Sequence, residues 1–314
     1  MENKSKNKDF NKSIMLLILN IKHYWVLYLL LAVPLAYIII FRYVPMYGLV
    51  LAFREYDPRV GIFGGEWVGF ANFNRFFRTY DFFNIIFNTI SISVYSIIAG
   101  FFAPILLAIA INETRSIAFK KTIQMATYAP YFISTVVLVG IMFQVFSTHI
   151  GIVNKAVKFL FGEPINFMGY PPYFKHMYVW SGIWQGTGYG SVIYIAALTG
   201  VDPQLYEAIT VDGASRMQKI RYIDIPAIIP TAVVLLILNS GNIMNVGFEK
   251  IYLMQNAMNR SVSEVISTYV YKMGMVNMNF GFSTTVSLFN SVINLILIVS
   301  VNFISSKLGE NSLW

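Results

Sequence analysis

The chain has 314 residues, of which 56% are hydrophobic, 16% aromatic and only 12% charged, and its mean hydropathy is +0.60. Because soluble domains are typically about 25% charged, this composition argues against a water-soluble protein and favours one polytopic membrane domain. The absence of cysteine excludes disulfides, thiolate metal sites and a cysteine nucleophile. The net charge of +8 is scattered among short loops, which favours anionic lipid headgroups over nucleic acid as its counterpart.

Apolar runs near 20 residues predict membrane-spanning helices, because backbone amides cannot stay unpaired in hydrocarbon. The predicted spans are residues 25–43, 83–111, 122–146, 177–198, 225–246 and 283–304. The sequence therefore predicts an all-α membrane protein with six transmembrane helices and both termini on one side. The predicted domains are a basic N-terminal segment (1–24), a six-span domain (25–306) and a short tail (307–314).

The basic N-terminal segment also resembles the start of a secretory signal. The apolar run from Trp25 to Ile40 is long for a signal, and Phe41 and Arg42 offer no small-residue cleavage site. We therefore expect a retained first helix. Basic residues are denser in the shorter set of loops, which favours a cytoplasmic location for both termini.

Two long connections, residues 45–80 and 151–175, are rich in turn-forming and aromatic residues and predict ordered external caps. In the fourth predicted span, glycines repeatedly remove side chains from the helix surface. They are Gly182, Gly186, Gly188 and Gly190. This pattern favours close helix packing, with a functional hinge as the alternative.

The polar segment between the fourth and fifth predicted spans has readable local chemistry. Asp202 is a good N-cap and Pro203 suits a first helical position, so a short helix should include Glu207. Gly213 should end that helix in a left-handed conformation, and a second helical piece should begin at Ser215. By itself this chemistry fits an ordinary interhelical loop and a docking element for a partner about equally well.

The same segment, residues 200–225 with the proline that follows, resembles the EAA loop of ABC importer permeases. That motif has Glu-Ala, then Gly, Ile and Pro six, sixteen and nineteen residues after the Glu, here Glu207, Ala208, Gly213, Ile223 and Pro226. Ile209 stands in place of the usual second Ala and Ile225 in place of Leu. The Asp212-Gly213-Ala214 run is similar to the version found in carbohydrate uptake permeases.

A second resemblance lies near the N-terminus, in residues 46–53, 61–64 and 67–73. These segments are similar to the branch of sugar permeases associated with polysaccharides and complex oligosaccharides. Together with the six-span layout, the resemblance covers nearly the whole chain. It implies the type I ABC importer permease fold, with a cytoplasmic coupling helix between spans four and five.

The resemblance implies a non-catalytic subunit of an ATP-driven importer of an oligosaccharide or polysaccharide fragment in the bacterial cytoplasmic membrane. The implied partners are a second permease subunit, two ATP-binding subunits and an extracellular or lipid-anchored sugar-binding protein. No cofactor is expected on this chain, and ATP and Mg are expected in the ATPase subunits. The sequence has no glycine-rich phosphate loop ending in Gly-Lys-Ser or Gly-Lys-Thr.

The resemblance also assigns coupling roles to individual residues. Glu207 would make a charge-assisted contact with the ATPase, Ala208 would allow close approach, and Gly213 would set the angle between the helical pieces. Pro226 would mark the entry into the fifth span. The predicted coupling residues are Glu207, Ala208, Asp212, Gly213, Ile223 and Pro226.

A sugar path must be polar, because a sugar sheds water only where its hydroxyls find new partners. The second predicted span carries such a stripe at Asn84, Asn88, Ser91 and Tyr95. The pathway candidates are Asn88, Tyr95, Trp184, Tyr189, Asn239, Asn242 and Asn294. Hydrogen bonding between helices is the favoured alternative for any single Asn, and interface anchoring or packing for the aromatic residues.

Other functions fit the sequence less well. His23, His149 and His176 lie apart from one another and from clustered carboxylates, so neither a metal site nor a catalytic site is predicted. A secondary transporter or channel would normally carry ionisable residues at mid-membrane, and the predicted spans have almost none. A membrane transferase would need acids or histidines gathered at one membrane face, whereas Glu207, Asp212 and Asp224 lie in the segment that resembles a coupling loop.

Overall fold

The structure is a computed structural model, and it describes residues 22–57, 59–61, 64–241 and 243–307. The chain divides into two compact units, Met1–Gly69 and Phe70–Trp314. In the part that the structure describes, secondary structure is helical apart from two isolated antiparallel bridges, Arg54 with Trp67 and Asp57 with Gly61. The all-α prediction is confirmed for these residues.

The first unit is dominated by one apolar helical run. Helix α1 (Trp25–Ile38) continues through a π-helical turn, Ile39–Tyr43, into a 3₁₀ helix, Val44–Phe53. No side chain of α1 is buried in the protein, as expected for a helix that is apolar on every side and faces lipid or partner helices. The predicted end of this helix at residue 43 was wrong, since the helical run extends through Phe53.

The second unit contains the remaining helices. In chain order they are α2 (Ala71–Phe77), α3 (Phe82–Asn112), α4 (Ile117–Tyr128), α5 (Thr135–Val145), α6 (Ile152–Phe161), α7 (Pro171–Thr199), α8 (Pro203–Val211), α9 (Arg216–Lys219), α10 (Ile225–Ser240), α11 (Phe248–Met254), α12 (Arg260–Ser263), α13 (Ile266–Tyr271) and α14 (Phe280–Lys307). Helices α3 and α7 share the most extensive helix–helix contact and form its central pair.

Four helical runs are long and apolar enough to cross a membrane: Trp25–Phe53, Phe82–Asn112, Arg216–Ser240 and Phe280–Phe303. A bent pair, Ile117–Phe132 with Thr135–Val145, makes a fifth if it is counted as one span. By length and composition the described residues thus support four or five spans, where the sequence predicted six.

The third predicted span, 122–146, was wrong as a continuous helix, because its two halves meet at an angle of 102°. Pro130 lies in a short 3₁₀ turn, Ala129–Phe132, and has no amide to donate to the preceding turn. Ser134 is extended, and its hydroxyl accepts the amide hydrogen of Val137, which caps a new helix.

The fourth predicted span lies within α7, which has 29 residues and is therefore about 43 Å long. It is long enough to span but too polar to count among the apolar runs, since it carries residues such as Lys175 and Gln185. Close packing is confirmed at Gly188, where an added Cβ would lie 1.9 Å from the carbonyl oxygen of Thr127. Its missing side chain lets α4 and α7 approach each other.

The fifth predicted span, 225–246, begins where α10 begins, at Ile225, with Pro226 in the first turn. The helical run itself begins earlier, because α9 continues through a π turn, Ile220–Asp224, directly into α10. This wider turn precedes the proline, which has no amide for the helical ladder. Helix α10 ends at Ser240, six residues before the predicted end of the span at residue 246.

The core of the second unit consists of three apolar clusters. One lies among α3, α5, α7, α11 and the segment before α13, and a second lies among α2, α3, α13 and α14. The third contains Ala108, Ile109, Tyr194, Leu198, Ile228 and Ala232. Ile220 of the π turn packs against this third cluster, so the polar segment before α10 is joined to α3, α7 and α10.

Candidate coupling segment and substrate cavity

The polar segment begins with a capped helix, as predicted. The side chain of Asp202 accepts the amide hydrogen of Gln204 at 2.9 Å, and Pro203 is the first residue of α8. An N-cap carboxylate satisfies an amide that has no partner within the helix, and the fixed φ of proline suits this position.

The turn between α8 and α9 is a complete Schellman motif. Gly213 has φ +77°, its amide donates to the carbonyl of Thr210 at 3.1 Å, and the amide of Ala214 donates to Ile209 at 3.1 Å. A capping box follows, in which Ser215 and Gln218 exchange side-chain to backbone hydrogen bonds of 2.7 and 3.4 Å. These bonds fix the geometry of the turn between α8 and α9, which is called the elbow below. They also confirm the predicted start of the second helix at Ser215.

A buried carboxylate connects this elbow to the long helices. Asp224 is fully buried at the end of the π turn, and its Oδ1 accepts hydrogen bonds from the Tyr206 hydroxyl at 2.5 Å and from Asn112 Nδ2 at 3.4 Å. Burial, followed by the hydrogen bond to Asp224, raises the pKa of Tyr206 to about 12. The three residues belong to α8, the helix of α10 and the end of α3, so this joint ties α8 to both.

The joint was missed from the sequence, which singled out neither Tyr206 nor Asn112. One signal was available in the sequence. Tyr206 directly precedes Glu207, so the two side chains lie on different faces of the helix, and Tyr206 could pack inward while Glu207 stayed exposed.

The predicted coupling residues lie in two elements, α8 with its turn and the helix that follows. Glu207, Ala208, Asp212 and Gly213 are all exposed on α8 and its turn, beside the exposed apolar side chain of Val211. Ile223 is half-buried and Pro226 exposed, and both lie in the following helix. The structure therefore offers one rigid exposed element that combines a negative charge with an apolar surface.

A cavity of about 540 Å³ lies among α3, α7 and α10. It brings together two of the predicted pathway residues, Tyr189 and Asn239. The Tyr189 ring stacks on Tyr131, with ring centroids 4.0 Å apart and planes inclined by 10°, and about half of its surface is exposed. An aromatic ring from α7 and an amide from α10 in one cavity can contact the apolar face and the hydroxyls of a sugar.

A second cavity of about 310 Å³ shares Ser96, Gly100 and Pro104 of α3 with the first. Its other walls are formed by α7, through Gly182 and neighbouring residues, and by Lys250 of α11. Lys250 was missed from the sequence because it lies outside every predicted span, and its only visible signal was a basic residue within an apolar stretch.

The polar stripe on α3 is used for contacts within the protein. Asn88 is 2% exposed, and its Nδ2 donates to the carbonyls of Ser261 at 2.9 Å and Glu264 at 3.2 Å. The Tyr95 hydroxyl is 2.9 Å from His176 Nδ1 and accepts a hydrogen bond from Trp180 Nε1 at 2.9 Å. For Asn88 this placement favours the packing interpretation.

Among the other described pathway candidates, Trp184 and Asn294 line neither of these two cavities. Trp184 lines a separate, mostly apolar pocket of about 410 Å³ together with Trp180 and Leu138. Asn294 Oδ1 accepts the amide hydrogen of Met244 at 3.1 Å. Asn242 lies outside the described residues. In the part of the chain that the structure describes, no group of three or more His, Asp or Glu residues could hold a metal ion.

Comparison with known sequences identifies relatives over most of the chain. Protein LplB of Bacillus subtilis (strain 168) is 42% identical over 92% of this chain and 91% of its own length. The polygalacturonan/rhamnogalacturonan transport system permease protein YteP of the same organism is 39% identical over 98% of this chain and 95% of its own length.

Comparison with solved structures gives matching folds. A chain of a bacterial ABC transporter that imports the acidic polysaccharide alginate superposes with a TM-score of 0.85 and 36% identity, over 92% of this chain and 97% of that chain. A second structure of a bacterial alginate ABC transporter, in complex with an alginate pentasaccharide-bound periplasmic protein, gives a TM-score of 0.86 and 35% identity. It covers 94% of this chain and 98% of that chain.

Residues 13–310 match the family described as the binding-protein-dependent transport system inner membrane component. With this match, the two long relatives and the shared fold, the chain belongs to this family of ABC transporter permeases, and it is a non-catalytic, multi-pass membrane subunit.

Proposed function

We propose that this chain is a six-span half of the translocation pathway of an ATP-driven importer of an oligosaccharide or polysaccharide fragment. The carrying observation is the fold that it shares with a chain of the alginate transporter over 92% of its length. Four apolar runs, the bent pair and α7 together supply six elements long enough to serve as spans. Alginate, named for that transporter, and polygalacturonan, named for YteP, support a polymeric sugar substrate.

The protein works in the bacterial cytoplasmic membrane with both termini cytoplasmic. Residues 25–306 form the permease domain in this proposal, and residues 1–24 and 307–314 are cytoplasmic segments. This orientation puts α8 on the cytoplasmic side, where an ATPase can reach it. Support for it comes from the density of basic residues in the shorter loops and from the resemblance of residues 200–225 to a coupling loop.

In the proposed coupling mechanism, α8 docks on an ATPase subunit and the elbow transmits its movement. Glu207 makes a charge-assisted contact with a basic group of the partner, and Ala208 and Val211 lie against its surface. The Schellman turn at Gly213 keeps α8 at a constant angle to α9. Movement of α8 then reaches α3 and α10 through the joint of Tyr206, Asp224 and Asn112, whose hydrogen bonds are 2.5 and 3.4 Å long.

The assembly contains a similar second permease, two ATP-binding subunits that hold ATP and Mg, and an extracellular or lipid-anchored sugar-binding protein. The alginate transporter bound to a pentasaccharide-loaded periplasmic protein supports this composition. The substrate path runs beside the cavity that Tyr189 and Asn239 line. Tyr95, Trp184 and Asn294 serve helix packing or lie at its margins, and Asn242 is proposed to extend the polar wall.

The test uses the assembled transporter in liposomes with a Gly213→Pro variant. Proline cannot adopt φ +77° and cannot donate to Thr210, so sugar-stimulated ATP turnover and uptake should both be lost while the helical content remains. Gly213→Asn should retain activity, because Asn tolerates the left-handed region.

Gly140→Ala is the matched control, since Gly140 lies in α5 with no atom within 4 Å of an added Cβ. Full coupled turnover in Gly213→Pro would disprove the coupling role of the turn. Failure of the wild-type assembly to import any glycan would disprove the proposed function.

A further inference from the structure

The ammonium group of Lys250 is buried without a carboxylate partner in the described part of the chain. Lys250 is 9% exposed, and its Nζ donates to the carbonyl of Tyr178 at 2.9 Å and lies 4.9 Å from the centre of that residue's ring. The ion pairs in the described residues are those of Glu264 with Arg260 and Lys272. Burial lowers the pKa of Lys250 to about 8, so the group is still mostly protonated at neutral pH.

A buried charge with one carbonyl acceptor is costly, because water has been removed and the remaining donors are not matched by an anion. Glu264 is a buried charged residue whose charge is compensated. That carboxylate is also buried, yet it accepts from Lys272 at 2.6 Å, from Arg260 at 3.1 Å and from the Thr268 hydroxyl at 2.8 Å. The fold compensates one buried charge fully and leaves the other short of an anion.

Lys250 borders the cavity of about 310 Å³, and the opposite helix is shaped to admit its head group. An added Cβ at Gly182 would lie 3.3 Å from Lys250 Nζ, whereas one at Gly186 would meet no atom within 4 Å. On the α3 wall, the buried Ser96 hydroxyl has no hydrogen-bond partner among the described residues. One cavity thus combines a cation, a hydroxyl without a partner among the described residues, and two glycines of α7, Gly182 and Gly186.

This cavity adjoins the larger one, and the two share Ser96, Gly100 and Pro104 of α3 as wall residues. The larger cavity holds Tyr189 and Asn239, which can contact a sugar ring and its hydroxyls. Each cavity has the size of an ordinary small-molecule pocket. A saccharide unit beside Tyr189 and Asn239 can therefore extend a substituent towards Lys250.

We propose that Lys250 binds a carboxylate of the transported glycan, so that the substrate is a uronic-acid-containing oligosaccharide. A carboxylate supplies the missing anion through a charge-assisted hydrogen bond, whereas a neutral sugar leaves the ammonium uncompensated. The inference rests on the proposed function, since it names the substrate class for the same path. It also predicts a cost to neutral substrates, because a buried unmatched charge discriminates against them.

The test measures uptake by the assembled transporter in liposomes with two probes of equal chain length, an oligogalacturonate and its fully methyl-esterified, neutral form. Lys250→Met retains an apolar side chain of similar length and removes the charge. It should lower uptake of the acid at least about tenfold relative to the ester, the size expected for one hydrogen bond to a charged group. Lys250→Arg should retain part of the preference, and Lys158→Met, an exposed lysine on α6, should leave it unchanged.

A second measurement does not depend on the binding protein. The purified transporter is treated with an amine-acylating reagent near pH 8, and modification of the Lys250 peptide is followed by mass spectrometry. The oligogalacturonate should slow acylation of Lys250, and the methyl ester should not. Lys158 should react equally under all conditions.

The outcomes separate the two proposals. If Lys250→Met lowers uptake of both probes equally, Lys250 is a structural residue and the carboxylate role is wrong. Unchanged uptake of the acid, or equal protection of Lys250 by both probes, also overturns the inference while glycan import stands. If the wild-type assembly transports neither these probes nor any other glycan, the proposed function itself fails.

Discussion

The coupling segment and the substrate cavity contrast in how they are built. The segment from Asp202 to Gln218 is defined by short-range bonds, in which each cap and turn joins residues two to five positions apart. The two adjoining cavities are formed by α3 and α7 with α10 in one and α11 in the other, from residues separated by up to 154 positions, such as Ser96 and Lys250. Caps and turns can be predicted from a short stretch of sequence, whereas a site between helices depends on which helix faces come into contact.

The joint of Tyr206, Asp224 and Asn112 combines both kinds of contact. Tyr206 is part of the local element, but its partner Asp224 is 18 residues away, and Asn112 is a further 112 residues from Asp224. The joint converts a short-range structure into a contact with two long helices. Variants of the helix packing, of the joint and of the local cap should therefore differ in how much they lower stability. The largest loss is expected where a tertiary contact is removed.

The largest effect is expected from Gly188→Ala, which strikes the tertiary packing. The new Cβ would lie 1.9 Å from the carbonyl oxygen and 2.3 Å from the carbonyl carbon of Thr127, so α4 and α7 must separate. We expect a loss of about 3 kcal/mol in the free energy of unfolding. Thermal unfolding in detergent should show this as the largest drop in melting temperature of the set.

Gly186→Ala is the control on the same helix, because no atom lies within 4 Å of its added Cβ. It should be neutral, or stabilising by up to about 1 kcal/mol through better helix propensity. If Gly188→Ala and Gly186→Ala melt alike, the close approach of α4 to α7 is refuted.

An intermediate effect is expected from Tyr206→Phe, which breaks the joint. Removal of the hydroxyl deletes the 2.5 Å hydrogen bond and leaves the fully buried Asp224 with the 3.4 Å contact to Asn112. Loss of a donor to a buried charged group should cost about 2 kcal/mol. Coupled ATP turnover should fall along with the melting temperature.

Tyr222→Phe is the matched control, since Tyr222 lies in the π turn that contains Asp224 and is 63% exposed. It should retain both stability and turnover. A Tyr206→Phe transporter with wild-type stability would show that the joint contributes nothing to folding, and wild-type coupling would remove it from the proposed transmission route.

The smallest effect is expected from Asp202→Ala, which removes only a local cap. Loss of the hydrogen bond to the Gln204 amide should cost about 1 kcal/mol. Because α8 is exposed, the cost should be seen as faster amide hydrogen exchange in its first turn, with little change in the melting temperature. Exchange at wild-type rates there would contradict the capping role.

The elements that could be predicted from sequence are those with a strong local or compositional signal. The cap at Asp202, the helix start at Ser215 and the left-handed Gly213 were predicted correctly, and so was the presence of long apolar helices in the first, second, fifth and sixth predicted spans. The break at Ser134 was missed because the apolar pattern of 122–146 continues across it. The continuity of α9 with α10 was missed because the proline was read as a helix start, and a π turn has no comparable signal.

Among the candidate site residues, the type of side chain did not show whether a residue lines a cavity or serves helix packing. Its surroundings in the fold decided this. Asn88 looked like a pathway residue, but the structure buries it against the carbonyls of Ser261 and Glu264. Tyr189 and Asn239 were equally plausible from sequence, and these do share a cavity. A polar residue on a helix serves packing or lines a path according to the neighbour that it meets, which helix periodicity alone does not specify.

By itself, the sequence determined that this is an all-α membrane protein, because hydropathy and caps are properties of short segments. The permease assignment came from the resemblance of the segment from Glu207 to Pro226 to the EAA loop of ABC importer permeases. Tertiary structure decided which polar groups remain available. It used the polar residues of α3 for contacts within the protein, joined Tyr206 to Asp224, and placed Lys250 in a cavity wall with no carboxylate partner among the described residues. The physical reason is that the cost of burying a charge depends on the atoms brought around it from distant parts of the chain.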